Sequence, residues 1–254
     1  MKILLLDVET APKLAYVWGL WKQNIAASTQ LVSDTFLLTW SAKWYGKKTV
    51  YGDKLTSGEA LLEDDSRICT KLHELMDEAD VVVGHNGDRF DIPTINARFV
   101  LNDMSPPSPY KSIDTLKIAK KHFKFTSNRL DYIGDILGVG RKIDTGGFDL
   151  WRRCMKGEVK ALKEMLKYNK QDVLLLEKVY DKLRPYCSSH PNLGLSSKDS
   201  ACPKCGSNHL QSRGTAVTSI GRFQRFQCQE CGGWSRGRQN LREADEMKNT
   251  LLSI

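Results

Sequence analysis

Apolar residues recur along the chain with two spacings. KILLLDV at 2–8 and VVVG at 81–84 are short unbroken runs with the length and polar bounds of buried strands. TFLLTWSAKW (35–44) and KTVY (48–51) predict two more strands joined at Gly46, and 111–114 predicts a short one. Elsewhere the spacing is helical. Leu61, Leu62, Ile68, Leu72, Leu75 and Met76 share one stripe and predict a single helix over 59–79. Further helices are predicted over 92–101, 115–123, 128–137, 149–155 and 158–183; Gly138 ends the third and Pro185 stops the last. Three strands followed by alternating helices and strands predict an α/β domain, a mixed sheet flanked by helices, over 1–185. The serine-rich stretch 186–200 reads as a linker, 201–240 as a small cysteine-bearing module and 241–254 as a tail with a short helix over 241–252.

One position breaks the pattern. In LKYNKQDVLLLEKVYDKL (166–183), Asp172 falls on the apolar face with Met165, Leu176, Val179 and Leu183. Tyr168 lies one turn earlier on nearly the same face. A carboxylate buried there is costly unless it is paired or holds a cation.

Charge and composition narrow the classes. The chain has 254 residues and a net charge of +8, unevenly spread. Residues 1–185 carry 29 basic and 25 acidic side chains, 186–254 carry 9 and 5, and 51–100 is acidic with 5 against 11. A basic chain with one acidic sector suits a polyanionic partner plus a local need for carboxylates, although solvated helix faces give the same totals. No apolar run is long enough to span a membrane. The N-terminal run is too short for a secretory signal and acids follow it at once, so the expected location is the cytoplasm. Seven cysteines, an odd number, point to a reducing compartment rather than a disulfide framework.

Three acidic motifs then stand out. Asp7 and Glu9 in LLLDVET are two apart at the end of a buried strand and share a face. Adjacent like charges raise each other's pKa, and a divalent cation resolves the conflict; a solvated strand end is the alternative. In VVVGHNGDRFDIPTIN, a strand ends at Gly84 and a loop carries His85, Asn86, Phe90 and Asp91 into a helix. Asp91 fits a ligand or a helix N-cap, Phe90 a stacking surface or a core residue, and Asp88 an exposed loop acid. Tyr168 and Asp172 form the third motif, either a reactive pair or a structural hydrogen bond.

As an ordered set, D-x-E, H-N-x-x-x-F-D and Y-x-x-x-D, residues 1–185 resemble the DEDD 3′→5′ exonucleases. These are the DnaQ-like branch of the ribonuclease H-like superfamily, which includes the proofreading domains of family B DNA polymerases. The resemblance implies a ribonuclease H-like fold in which Asp7, Glu9, Asp91 and Asp172 hold two Mg²⁺ or Mn²⁺ ions. It implies that Tyr168 positions the attacking water; Lys167 stands where the other branch has its histidine, so the tyrosine subclass is expected. Asn86 and Phe90 match positions that line the substrate's terminal nucleotides, and Thr10 is expected beside them. The expected reaction is two-metal hydrolysis releasing nucleoside 5′-monophosphates from single-stranded or frayed 3′ ends, DNA being favoured over RNA. A non-catalytic nucleic-acid-binding adaptor on the same fold, or an exoribonuclease, are the alternatives. Asp114 is a softer candidate without direct metal contact.

Outside the motifs, Lys117, Lys120, Lys121, Lys124 and Arg129 form either a phosphate-tracking surface or a solvated face. GVGRKIDTGGFDLW (138–151) reads as a loop near the substrate groove, its Asp144 and Asp149 as surface or cap residues. Trp18 and Trp21 in YVWGLW are expected to pack, with base stacking as the functional option.

The C-terminal cysteines are explicit. CPKC and CQEC present Cys202, Cys205, Cys228 and Cys231 as two C-x-x-C-G knuckles, which resemble a zinc ribbon over about 201–235. Four thiolates leave no open position, so one structural Zn²⁺ is expected and His209 is not a ligand. The module also carries Lys204, Arg213, Arg222, Arg225, Arg236 and Arg238 against Glu230 alone. Arg222 and Arg225 are therefore expected to contact nucleic acid, with docking to a replication or repair protein as the rival.

Overall fold

The computed structural model describes residues 1–143, 146–243, 247–248 and 251, and it divides into two compact units, Met1–Tyr180 and Asp181–Ile254. The first unit is built on a five-stranded sheet. Its central strand β1 (Ile3–Thr10) continues through a short ladder of β2 (Leu14–Ala15) and β3 (Leu31–Ser33), with α1 (Ala27–Gln30) between them, into β4 (Leu37–Trp44) and β5 (Tyr51–Lys54). With β6 (Val81–Gly84) and β7 (Lys111–Asp114) the sheet order is β5-β4-β1-β6-β7. The first three of these strands pair antiparallel and β1, β6 and β7 pair parallel. This is the mixed sheet that the alternation of runs predicts, flanked by helices. Leu4, Leu6 and Val8 of β1 enter the main core, so the alternate residues Asp7 and Glu9 look out from the opposite face.

The helix predicted over 59–79 is two: α2 (Ser57–Leu62) and α3 (Ser66–Asp77). Thr56 and Glu59 form a reciprocal capping box, and Glu63 ends α2 in a left-handed conformation, φ 58°. The break frees Asp65 to turn inward. There it accepts the amide of Leu37 at 2.8 Å, both arms of the Arg98 guanidinium at 2.7 and 2.9 Å, and the Asn102 side-chain amide at 2.9 Å. Polar satisfaction of one buried acid outweighed a continuous apolar stripe.

The other helices are α4 (Asp91–Leu101), α5 (Thr115–His122), α6 (Leu130–Ile136), α7 (Asp149–Met155) and α8 (Val159–Leu183). Met165, Val173, Leu176 and Val179 bury α8, and a largely buried ion pair from Lys43 on β4 to Glu177, 2.5 Å, fixes its height against the sheet. No described helix is long and apolar enough to cross a membrane.

The second unit contains a three-stranded antiparallel sheet, β8 (Leu210–Thr218), β9 (Gly221–Cys228) and β10 (Trp234–Asn240), in the order β10-β9-β8. The stretch that composition marks as a linker is tied to the first knuckle: Leu193 N–H donates to the Pro203 carbonyl at 3.0 Å, and Lys204 Nζ to that of Cys187. Asp144 and half of the residues of the expected tail helix lie outside the described residues.

Candidate active site

The site forms where three elements meet. β1 supplies Asp7 and Glu9 from one face. α8 supplies Asp172, wholly buried, and an oxygen of each of these three carboxylates lies within 4.8 Å of the others. Asp91, the first residue of α4, approaches from the opposite edge of β1. Pairing of β1 with β6 ends at Leu5, leaving the Val8 amide in need of an acceptor, and Asp91 Oδ1 takes it at 3.1 Å. Asp91 therefore serves β1 rather than capping its own helix.

The loop that delivers Asp91 is tightly bound. Gly84 and Gly87 pass so close that a Cβ on Gly84 would lie 3.1 Å from the Gly87 Cα. Between them Asn86 adopts φ 69°, a left-handed value that asparagine tolerates. The Asn86 amide donates to Asp114 Oδ1 at 2.9 Å, and the same oxygen caps α5 through the Leu116 amide. Asp114 thus shapes the loop. His85 bridges Thr115 Oγ1 (2.9 Å) and the Asn128 carbonyl (2.8 Å), and burial holds its pKa below the ordinary value; it is a structural tie. Asp88 is not an exposed loop acid: it is half-buried, paired with Lys117 at 2.6 Å and bonded to Ser112. Phe90 is 44% exposed rather than core, and Thr10 is half-buried at the end of β1.

Burying these acids, and for Asp7 and Glu9 crowding them together, raises their pKa values. Asp7 is held well above the usual carboxylate range, first by burial and then by Asp91, Glu9 and Asp172. Burial pushes Glu9 up to about 8 even though Lys142 opposes it. Asp91 rises to about 6 through burial, countered by the amides it accepts. Asp172 is also raised by burial, against the pull of Lys142. Its Oδ1 is buried with no hydrogen-bond partner among the described residues, an acceptor suited to a cation. All-oxygen donors with one orphaned atom fit a hard divalent ion.

Two neighbours have no signal in the sequence pattern. Asn169 Nδ2 donates to Asp7 Oδ2 at 2.5 Å while its carbonyl oxygen accepts from Thr39 Oγ1 at 3.3 Å, orienting the carboxylate. Lys142 reaches in from the glycine-rich loop, 2.5 Å from Asp172 Oδ2 and 3.1 Å from the Tyr168 hydroxyl. Asn169 is one polar residue among several on α8, and Lys142 sits in an aperiodic loop, so neither is marked by the pattern. Tyr168 packs edge-on against Trp151, accepts from Lys142 Nζ, and has its pKa raised to about 12, by burial and then by the charge of Asp172. A cavity of about 770 Å³ opens beside these groups, lined by His85, Asn86, Lys120, Arg129, Lys142 and Tyr168.

In the second unit, Cys202 and Cys231 sulfurs lie 3.7 Å apart, Cys205 and Cys228 3.6 Å, and all four within 4.8 Å. The Lys204 amide points at Cys202 Sγ at 3.4 Å, as thiolates prefer. His209 instead pairs with Glu230 at the surface, 3.0 Å. The donor set fits one tetrahedral zinc. Arg225 stacks over Trp234 at 5.0 Å and Arg236 over Phe223 at 4.0 Å, which puts an arginine–aromatic face on one side of the sheet. Arg222, three residues from Arg225 on the same strand, faces the other side.

A mixed five-stranded sheet with clustered acids beside its central strand defines a nuclease-type α/β domain, and the comparisons agree. Residues 42–184 match the model of the RNase_H superfamily, and the chain belongs to that family. The matched span includes Asp91, Tyr168 and Asp172 and begins after Asp7 and Glu9. Among solved structures, the family B DNA polymerase from the hyperthermophilic archaeon Pyrobaculum calidifontis superposes with a TM-score of 0.54 at 15% identity. The likeness, one of fold, covers 72% of this chain and 24% of the polymerase. No curated protein sequence matches the chain.

Proposed function

We propose that the protein is a metal-dependent 3′→5′ exonuclease of the DEDD tyrosine subclass that releases nucleoside 5′-monophosphates from single-stranded or frayed DNA. The observation that carries the reading is the convergence of Asp7, Glu9 and Asp172 within 4.8 Å, with Asp172 Oδ1 buried and without a hydrogen-bond partner among the described residues. Asp7, Glu9, Asp91 and Asp172 hold two Mg²⁺ or Mn²⁺ ions. When bound, the ions supply Lewis-acid charge and lower the pKa of water at the scissile phosphate, so no strong protein base is needed. Tyr168 presents its hydroxyl to that water, and Asn169 holds Asp7 in its ligating rotamer. Thr10, Asn86 and Phe90 line the terminal nucleotides, and Lys120 and Arg129 receive backbone phosphates in the neighbouring cavity. In the second unit Cys202, Cys205, Cys228 and Cys231 hold one structural zinc, and Arg222 and Arg225 add nucleic-acid contacts.

Alanine at Asp7 or Asp172 is expected to abolish Mg²⁺-dependent cleavage while leaving circular dichroism unchanged; full activity in either purified variant would refute the assignment. The Lys142–Asp172 pair favours a second reading, a non-catalytic nucleic-acid-binding protein whose fixed ammonium takes the cation's place. The two readings separate on titration with Mn²⁺. An exonuclease displaces Lys142 and binds the ion, more tightly in Lys142→Ala, whereas an adaptor binds none at this site.

A further inference from the structure

Residues 11–36, between β1 and β4, form a flap whose stem is the β2–β3 ladder. The Ala11 amide bonds the Phe36 carbonyl at 2.9 Å, one residue past Thr10, and Tyr16 and Gln30 exchange bonds of 2.9 and 3.0 Å farther out. The tip carries Trp18 at 99% exposure, Leu20, and Trp21 at 86%. This corrects the expectation that these tryptophans pack. Free-standing indoles beside an ordered stem mark a surface made to be covered. Two features choose the occupant. The stem is continuous with the strand that bears Asp7 and Glu9, and no acidic residue lies between Glu9 and Asp34, while Lys13 and Lys22 are present. Aromatic faces free of negative charge suit nucleobases, whose stacking tolerates any sequence and is blocked by pairing.

We propose that Trp18 and Trp21 stack on unpaired bases of the substrate strand upstream of the scissile bond, setting a requirement for single-stranded nucleic acid. The inference rests on the exonuclease reading for its direction. The test compares wild type, Trp18→Ala/Trp21→Ala and Trp18→Phe/Trp21→Phe on oligothymidylates and oligouridylates of about 3 and about 15 nucleotides. In the alanine pair, KM for the long strand is expected to rise about 10-fold or more, with kcat and the short strand unaffected, and phenylalanine is expected to restore KM. A wild-type KM on the long strand, or an equal loss on both lengths, would overturn the proposal. Should wild type cleave nothing, the exonuclease reading fails by itself, and fluorescence anisotropy with the labelled long strand decides the flap. Weaker binding in the alanine pair alone upholds it; equal binding in all three proteins overturns it.

Discussion

Asp172 is the residue on which site and fold meet. Its helix is held in the core by Met165, Leu176 and Val179, and that placement drives a carboxylate into contact range of Asp7 and Glu9. Replacing Asp172 by Asn keeps the volume and removes the charge, so cleavage should fall by at least about 100-fold without unfolding. Tyr168→Phe should lower kcat by about 10- to 100-fold with cation affinity unchanged, because the proposed role of the hydroxyl is to orient water and not to ligate the metal. The raised pKa values make a separate prediction. Glu9 titrates near 8 and Asp91 near 6 in the folded chain, above their ordinary 4.5 and 3.8, so the folded state binds protons that the unfolded chain has released. In magnesium-free buffer, stability should therefore fall as pH rises from about 5 to about 8. Thermal unfolding should show a lower Tm at the upper pH, and Mg²⁺ should raise Tm more there. A Tm that rises with pH in the absence of Mg²⁺ would contradict the electrostatic account.

At the scale of elements, the break between α2 and α3 shows how a buried polar group overrides an apolar stripe. Asp65 serves Leu37, Arg98 and Asn102 together, and Arg98 is itself largely buried. Asp65→Ala should cost about 3–5 kcal/mol by urea unfolding because it strands the guanidinium; a loss below about 1 kcal/mol would mean the network is dispensable. The strands 81–84 and 111–114 and the helix 149–155 were legible to the residue because apolar period and punctuation agree there. The flap's short β2 and β3 were not, having too few residues to show a period. Nor were β8 and β10, whose residues are mostly exposed and carry no alternating apolar signal. Within the site, the acids and Tyr168 were readable as an ordered set. Lys142 and Asn169 were not, because tertiary packing alone brings them to Asp172 and Asp7.

At the scale of the whole molecule, two units each carry a basic, aromatic-bearing surface, and net charge is +8. Removing Arg225 and Arg236 should weaken binding to single strands and flatten the dependence of log K on log salt by about 1–2, leaving kcat intact. An unchanged slope would assign that face to a protein partner. The central claim is directional, metal-dependent hydrolysis. A 5′-labelled single strand of DNA, with an RNA strand beside it, is incubated with the full chain in Mg²⁺ and without divalent cation, next to Asp7→Ala. The account predicts a ladder that shortens from the 3′ end in Mg²⁺ only, with nucleoside 5′-monophosphate as product and none from Asp7→Ala. Strands that stay intact in Mg²⁺ and Mn²⁺, or cleavage that persists in Asp7→Ala, would contradict it.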